Sequence, residues 1–152
     1  MDNKKVIKSF KDLDVYQNAY KVSIIVALQI LPKLPNSEKY DLINQLSRSS
    51  KAVPRLIAEG FAKKHQKFGF QKYLDDAMAE ANETIVGLEH SRDIYKIDEG
   101  LCITLLDNYD KIARQLFRLS EAWDVFKNKR RMTTPHDDTG SETVKHKPSA
   151  YS

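Results

Sequence analysis

The amino-acid sequence predicts an all-α protein, an antiparallel up-down-up-down four-helix bundle with a disordered C-terminal tail. Four long segments carry apolar residues at three- and four-residue spacing, and short turns separate them. No segment alternates with period two over a useful length. The 152-residue chain divides into an N-terminal segment, 1–11, the bundle, 12–127, and a basic and polar tail, 128–152. Each helix of roughly 20–30 residues spans about 30–45 Å at the α-helical rise.

Helix 1 starts from Asp12 as N-cap. One face carries Leu13, Tyr16, Tyr20, Ile24, Ala27, Leu28 and Leu31, and an adjacent face carries Val15, Ala19, Val22, Val26 and Ile30. A band this wide exceeds what one bundle seam needs. The second face is therefore expected to meet another subunit, because a large apolar patch left bare on a monomer is unusual. "LPKLPNSEKY" (31–40) turns the chain, with Asn36 or Ser37 as the next cap. Helix 2 follows from about Glu38 to Glu59, with Leu42, Ile43, Leu46, Ser49, Ala52, Val53 and Ile57 inward.

Helix 3 begins near Lys67 and reaches about Tyr95, with Phe70, Leu74, Ala77, Ala81, Ile85 and Leu88 along one stripe. Ala77, Ala79, Ala81 and Gly87 make it slim enough for close helix approach. "KIDEGL" (96–101) is a turn with Asp98 as cap. In helix 4 the residues Leu105, Tyr109, Ile112, Leu116, Leu119, Trp123 and Phe126 step by four and three, as in a coiled-coil seam. After Lys127 apolar content collapses and periodicity stops, which predicts disorder.

Composition narrows the function. Net charge is +4, with 12 Lys/Arg against 6 Asp/Glu in residues 1–66 and 8 against 12 in residues 67–128. Positive charge thus gathers in the first half and the tail, where a polyanionic partner would be met. Cys102 is the one cysteine, which fits a reducing compartment and a small core residue rather than a nucleophile. The chain starts polar from Met1 with no apolar h-region, and its longest apolar run, within Val22–Leu31, is too short to span a bilayer. A cytoplasmic protein with no membrane association is expected.

Chemistry-bearing constellations are missing. A bundle di-iron site needs Glu three residues before His, and the positions before His65 and His90 hold Ala62 and Gly87. No phosphate-cradling glycine loop, nucleophile elbow or zinc spacing occurs. The expectation is a non-enzyme with no cofactor and no metal.

Two features of "SSKAVPRLIAEGFAKK" (49–64) call for a function. Pro54 interrupts a helical pattern, at a cost of roughly 3 kcal/mol in an ordinary helix interior. A bend there would bring Glu59 and Gly60 close to the next helix, where slim Ala77–Ala81 could receive them. Around it, Asn44, Arg48, Lys51 and Arg55 share one outer face, and Lys63, Lys64 and Lys67 carry the charge into the following loop. The stripe either binds a polyanion or pairs with Asp76, Glu80 and Glu83 of helix 3, in the same or a neighbouring subunit. Lys129, Arg130 and Arg131 follow helix 4 directly, and alternating helix directions put them at the same bundle end as Lys63, Lys64 and Lys67. Phe61 and Phe68 are the only obvious stacking side chains there, so little sequence specificity is expected.

"FKDLDVYQNAYKV", "LPNSEKYDLINQLSRSSKAVPRLIAEGFAKK" and "FQKYLDDAMAEANETIVGLE" resemble the four-helix-bundle family encoded in intervening sequences of bacterial large-subunit ribosomal RNA genes. The likeness covers about Phe10 to Trp123, and Pro54 with Ile57-Ala58-Glu59-Gly60 is its most specific part. Related to that family are the accessory variability determinants of diversity-generating retroelements, pentameric bundles that bind nucleic acid and a reverse transcriptase. The resemblance implies a homopentamer that engages RNA, DNA or a reverse transcriptase in an accessory role. An adaptor oligomer that contacts only proteins is the alternative.

Overall fold

The computed structural model describes the backbone of residues 5–133 and the side chains of residues 5–123. Four α-helices form the bundle: α1 (Asp14–Ile25), α2 (Leu42–Ala62), α3 (Gly69–Asp93) and α4 (Glu99–Thr133). Each helix packs on its sequence neighbours, and α1 also packs on α4, so the four close into a ring. No strand occurs among the described residues.

The helix ends differ from the expected ones by local hydrogen-bond chemistry. Asp12 does not cap α1. It closes a capping box with Ser9 around a short 3-10 turn, Phe10–Asp12, and its carboxylate accepts from the Lys8 and Ser9 amides at 2.9 Å. Those two bonds hold its carboxyl below the usual range. After Ile25 the chain widens into one π-helical turn, Val26–Ile30, closed by the Leu31 amide on the Val26 carbonyl. Pro32 then allows only a 3-10 turn.

Asn36 and Ser37 lie in another 3-10 turn, Asn36–Glu38, rather than capping a helix, and α2 starts at Leu42, whose amide donates to Glu38 Oε2 at 3.1 Å. The other Glu38 oxygen accepts from the Tyr95 hydroxyl, which ties the start of α2 to the end of α3. Lys33 meets Asp98 at 3.2 Å, so the α1–α2 link and the α4 start share one end of the bundle. Asp98 caps α4 as expected, accepting from the Leu101 amide at 3.2 Å. At the far end α4 continues to Thr133, past the expected stop at Lys127. The rest of the expected tail, 134–152, lies outside the described residues.

The inward stripes of α2, α3 and α4 follow the heptad-like spacing. Leu46, Val53, Ile57, Phe70, Leu74, Leu88, Leu105, Tyr109, Ile112 and Leu116 are fully buried, and Cys102 is buried with them. Helix α1 reverses the expectation. Val15, Ala19, Val22, Val26 and Ile30, assigned to a subunit interface, are all buried inside this chain, so they cannot be the face offered to another copy. The outward stripe is Tyr20, Ile24 and Leu28. Short aliphatic side chains let α1 approach its neighbours, whereas a tyrosine hydroxyl on the inner stripe would need a partner in a dry core.

Pro54 is buried within α2, which runs unbroken from Leu42 to Ala62. Gly60 does meet the next helix closely, but one turn or more earlier than Ala77–Ala81: a Cβ there would lie 2.5 Å from Tyr73 Cβ and 3.5 Å from the Phe70 carbonyl. Gly87 does the same for Leu46, whose Cδ2 lies 2.5 Å from where a Cβ would be. Between these points, Thr84 Oγ1 donates to Ser49 Oγ at 2.8 Å, so polar groups at the α2–α3 seam are bonded to each other.

Candidate nucleic-acid interface

The basic residues separate into two groups by what lies beside them. Arg48, Lys51 and Arg55 are exposed on the outer face of α2, as their spacing requires. Arg48 meets Glu83 of α3 at 3.6 Å and Arg55 meets Glu59 at 3.4 Å. Both also act on Glu80, whose carboxyl is pushed up by burial first, then by Glu83, against the opposing pull of the two arginines. Two of the three stripe cations thus face acids of the same chain. Lys51 pairs with no carboxylate among the described residues. Solvent-exposed pairs of this kind are worth little individually and are readily exchanged for another anion.

The second group sits at the corner between α2 and α3. Lys63, Lys64 and Lys67 make no ion pair among the described residues, and each ammonium lies over an aromatic ring. Lys63 Nζ is 5.3 Å from the Tyr73 centroid, Lys64 Nζ 4.2 Å from Phe61 and Lys67 Nζ 5.5 Å from Phe68. Tyr73, chiefly through its hydroxyl, holds the Lys63 ammonium above its ordinary pKa, with Glu59 adding to the effect.

Local backbone chemistry sets this corner. The Lys63 amide donates to the Gly60 carbonyl at 3.0 Å and the Gln66 amide to the Lys63 carbonyl at 3.0 Å, which winds the chain tightly off α2. Phe68 then adopts the left-handed conformation, φ 57° and ψ 11°, and serves as N-cap of α3 without a side-chain cap bond. Gly69 follows because its backbone lies against the Lys63 carbonyl, where a Cβ would collide. Beneath the corner, Phe61 meets Phe70 edge-on at 6.0 Å and Phe70 stacks on Trp123 at 5.0 Å.

The Phe70–Trp123 stack fixes where α4 passes. Its remaining ten residues, to Thr133, extend the helix about 15 Å beyond the corner at 1.5 Å per residue. The backbone of Lys129, Arg130 and Arg131 therefore belongs to this helical extension, at the same bundle end as Lys63, Lys64 and Lys67. Their side chains lie outside the described residues.

An open cleft of about 740 Å³ lies at the corner, lined by Lys63, Lys67, Phe68 and Tyr73 and, one turn further along α3, by Asp75 and Asp76. Burial first, and then Asp76, push the Asp75 carboxyl up. The sequence spacing did not single out Tyr73 or Lys72 as site residues, because both read as ordinary helix-3 positions. The usable signal was the run of aromatic residues interleaved with lysines, Phe68, Phe70, Lys72 and Tyr73.

No group of His, Cys, Asp or Glu that could hold a metal ion exists among the described residues. His65 and His90 are exposed. Burial, the largest influence, pushes the Cys102 thiol up. None of the described helices is long and apolar enough to cross a membrane. The family model described as 23S rRNA-intervening sequence protein matches residues 11–118. No curated protein matches the chain.

Proposed function

Because the chain belongs to the 23S rRNA-intervening sequence protein family, we propose that it is a non-catalytic, self-associating bundle of the cytoplasm that binds nucleic acid. The contact lies at the α2–α3 corner and the end of α4. The observation that carries this reading is the corner's set of cations, Lys63, Lys64 and Lys67, which lie over aromatic rings and make no ion pair among the described residues. Arg48, Lys51 and Arg55 lie along the same helix and add a weaker, partly compensated field. In a ring of subunits, the pentamer that the sequence resemblance implies, several corners would repeat around one rim. Weak contacts would then add by multivalency. The accessory variability determinants related to the family that the sequence resembles make a reverse transcriptase the protein partner of choice.

A second reading, an adaptor that contacts only proteins, draws on a different observation. Tyr20, Ile24 and Leu28 form an exposed apolar stripe along α1 and the π-helical turn after it, and Leu28 is 71% exposed. Apolar docking is nearly indifferent to salt, whereas phosphate binding releases counterions and weakens steeply as salt rises.

Titration of a labelled single-stranded RNA oligonucleotide at two salt concentrations separates the readings. Wild type should bind at low salt and lose affinity steeply at high salt. Lys63→Glu with Lys64→Glu, and a chain truncated after Asn128, should each bind more weakly and with a shallower salt dependence. Equal binding by all three proteins, or none by wild type at low salt, moves the assignment to the protein-only adaptor.

A further inference from the structure

We propose that the cleft at the α2–α3 corner receives an unstacked base of a single strand, with Phe68 and Tyr73 as stacking surfaces and the lysines on the flanking phosphates. The proposal rests on the nucleic-acid reading above and adds the form of the ligand, single-stranded, and the side chains that select it.

Phe68 is the central observation. Its backbone sits in the left-handed region, which glycine or asparagine adopts at least cost and which costs other residues about 1–2 kcal/mol. The residue is 58% exposed, so the core does not select it either. Neither backbone geometry nor packing accounts for a large apolar ring at this place. An exposed ring beside an open cleft, with Lys67 over one face, is what a base-stacking contact uses.

Charge orients the ligand. Lys63 and Lys67 line the corner side of the cleft, and Lys72 adds a third cation from the first turn of α3. Asp75 and Asp76 line the α3 side. A phosphate is drawn to the lysines and repelled by the carboxylates, so the sugar–phosphate chain follows the corner. A base carries no charge and presents amino groups that carboxylates accept, so the base is the part of the strand suited to the interior. A volume of about 740 Å³ falls within the range of small-ligand pockets. A duplex, with its bases stacked inside, could offer only phosphates to this site.

The test uses the full chain and three labelled probes of equal phosphate count, every strand 5′-phosphorylated: a single-stranded 24-mer, an abasic 24-mer and a 12-base-pair duplex. Wild type should bind the base-bearing strand about tenfold more tightly than the abasic strand, in keeping with one base–aromatic stack. Phe68→Leu, which keeps an apolar side chain but removes the ring, should shrink that difference because Tyr73 alone then stacks, and Phe68→Tyr should preserve it. Lys63→Glu with Lys64→Glu should weaken both strands equally. Equal affinity of wild type for the base-bearing and abasic strands overturns the stacking proposal while leaving phosphate binding in place. Tighter binding of the duplex than of the single strand overturns it too. Binding of none of the probes overturns both this proposal and the nucleic-acid reading beneath it.

Discussion

Single residues at the α2–α3 seam set how closely the two helices lie. Gly60 faces Tyr73 Cβ, an atom fixed to its own backbone, so a methyl group at Gly60 must push the helices apart. Gly60→Ala should destabilise the protein by about 1–3 kcal/mol in denaturant unfolding. Gly100→Ala is its control, because a Cβ there meets nothing within 4 Å and alanine favours helix by up to about 1 kcal/mol. A different single-residue effect lies in the core. The Tyr109 hydroxyl is buried with no hydrogen-bond partner among the described residues, and desolvation pushes its pKa well up. Tyr109→Phe removes the unpaired group while keeping the ring, so it should raise stability by about 1 kcal/mol in the same measurement.

At the scale of elements, α2 and α3 meet as oppositely charged faces over a slim seam. Arg48 and Arg55 partly offset Glu80 and Glu83, but Glu80's carboxyl remains above its ordinary value of 4.5. A carboxyl raised in the folded state binds more protons there than in the unfolded chain, so stability falls as pH rises through that range. Glu80→Gln should flatten this decline above pH 4.5 and leave the protein at least as stable as wild type at neutral pH. Thermal unfolding followed from pH 4 to 8 would check the sign, and a steeper decline in the variant would contradict it. Pro54 belongs to this scale as well. The surrounding helices hold α2 continuous through it, which shows tertiary packing prevailing over a local penalty.

For the whole molecule, the self-association proposed above has its test in the exposed apolar stripe of the first helical segment. Tyr20, Ile24 and Leu28 recur every four residues on one face, with Leu28 the most exposed of the three. Tyr20→Glu with Leu28→Glu should lower the mass seen by light scattering while the helical circular dichroism persists. Val22→Glu with Val26→Glu should instead unfold the chain, since both sites are buried and an unpaired buried charge is not tolerated. An assembly unaffected by the first pair would place the interface elsewhere.

Helix number, order and inward faces of α2, α3 and α4 were determined by the sequence alone, because a 3.6-residue apolar period is a property of each helix by itself. Leu46, Leu74 and Leu116 are inward for that reason, and Asp98 caps α4 because its carboxylate reaches the Leu101 amide within one turn. Periodicity shows how many apolar stripes a helix has but not which one its neighbours cover. On α1 only tertiary structure chose Val15–Ile30 over Tyr20–Leu28. The division of the basic residues was likewise a tertiary outcome. Glu83 stands 35 residues from Arg48 in sequence and 3.6 Å from it in space, and no local pattern encodes that pairing. The corner cations make no ion pair among the described residues, and aromatic rings from the loop and from two helices lie beside Lys63, Lys64 and Lys67, an arrangement that only the tertiary turn from α2 to α3 brings together.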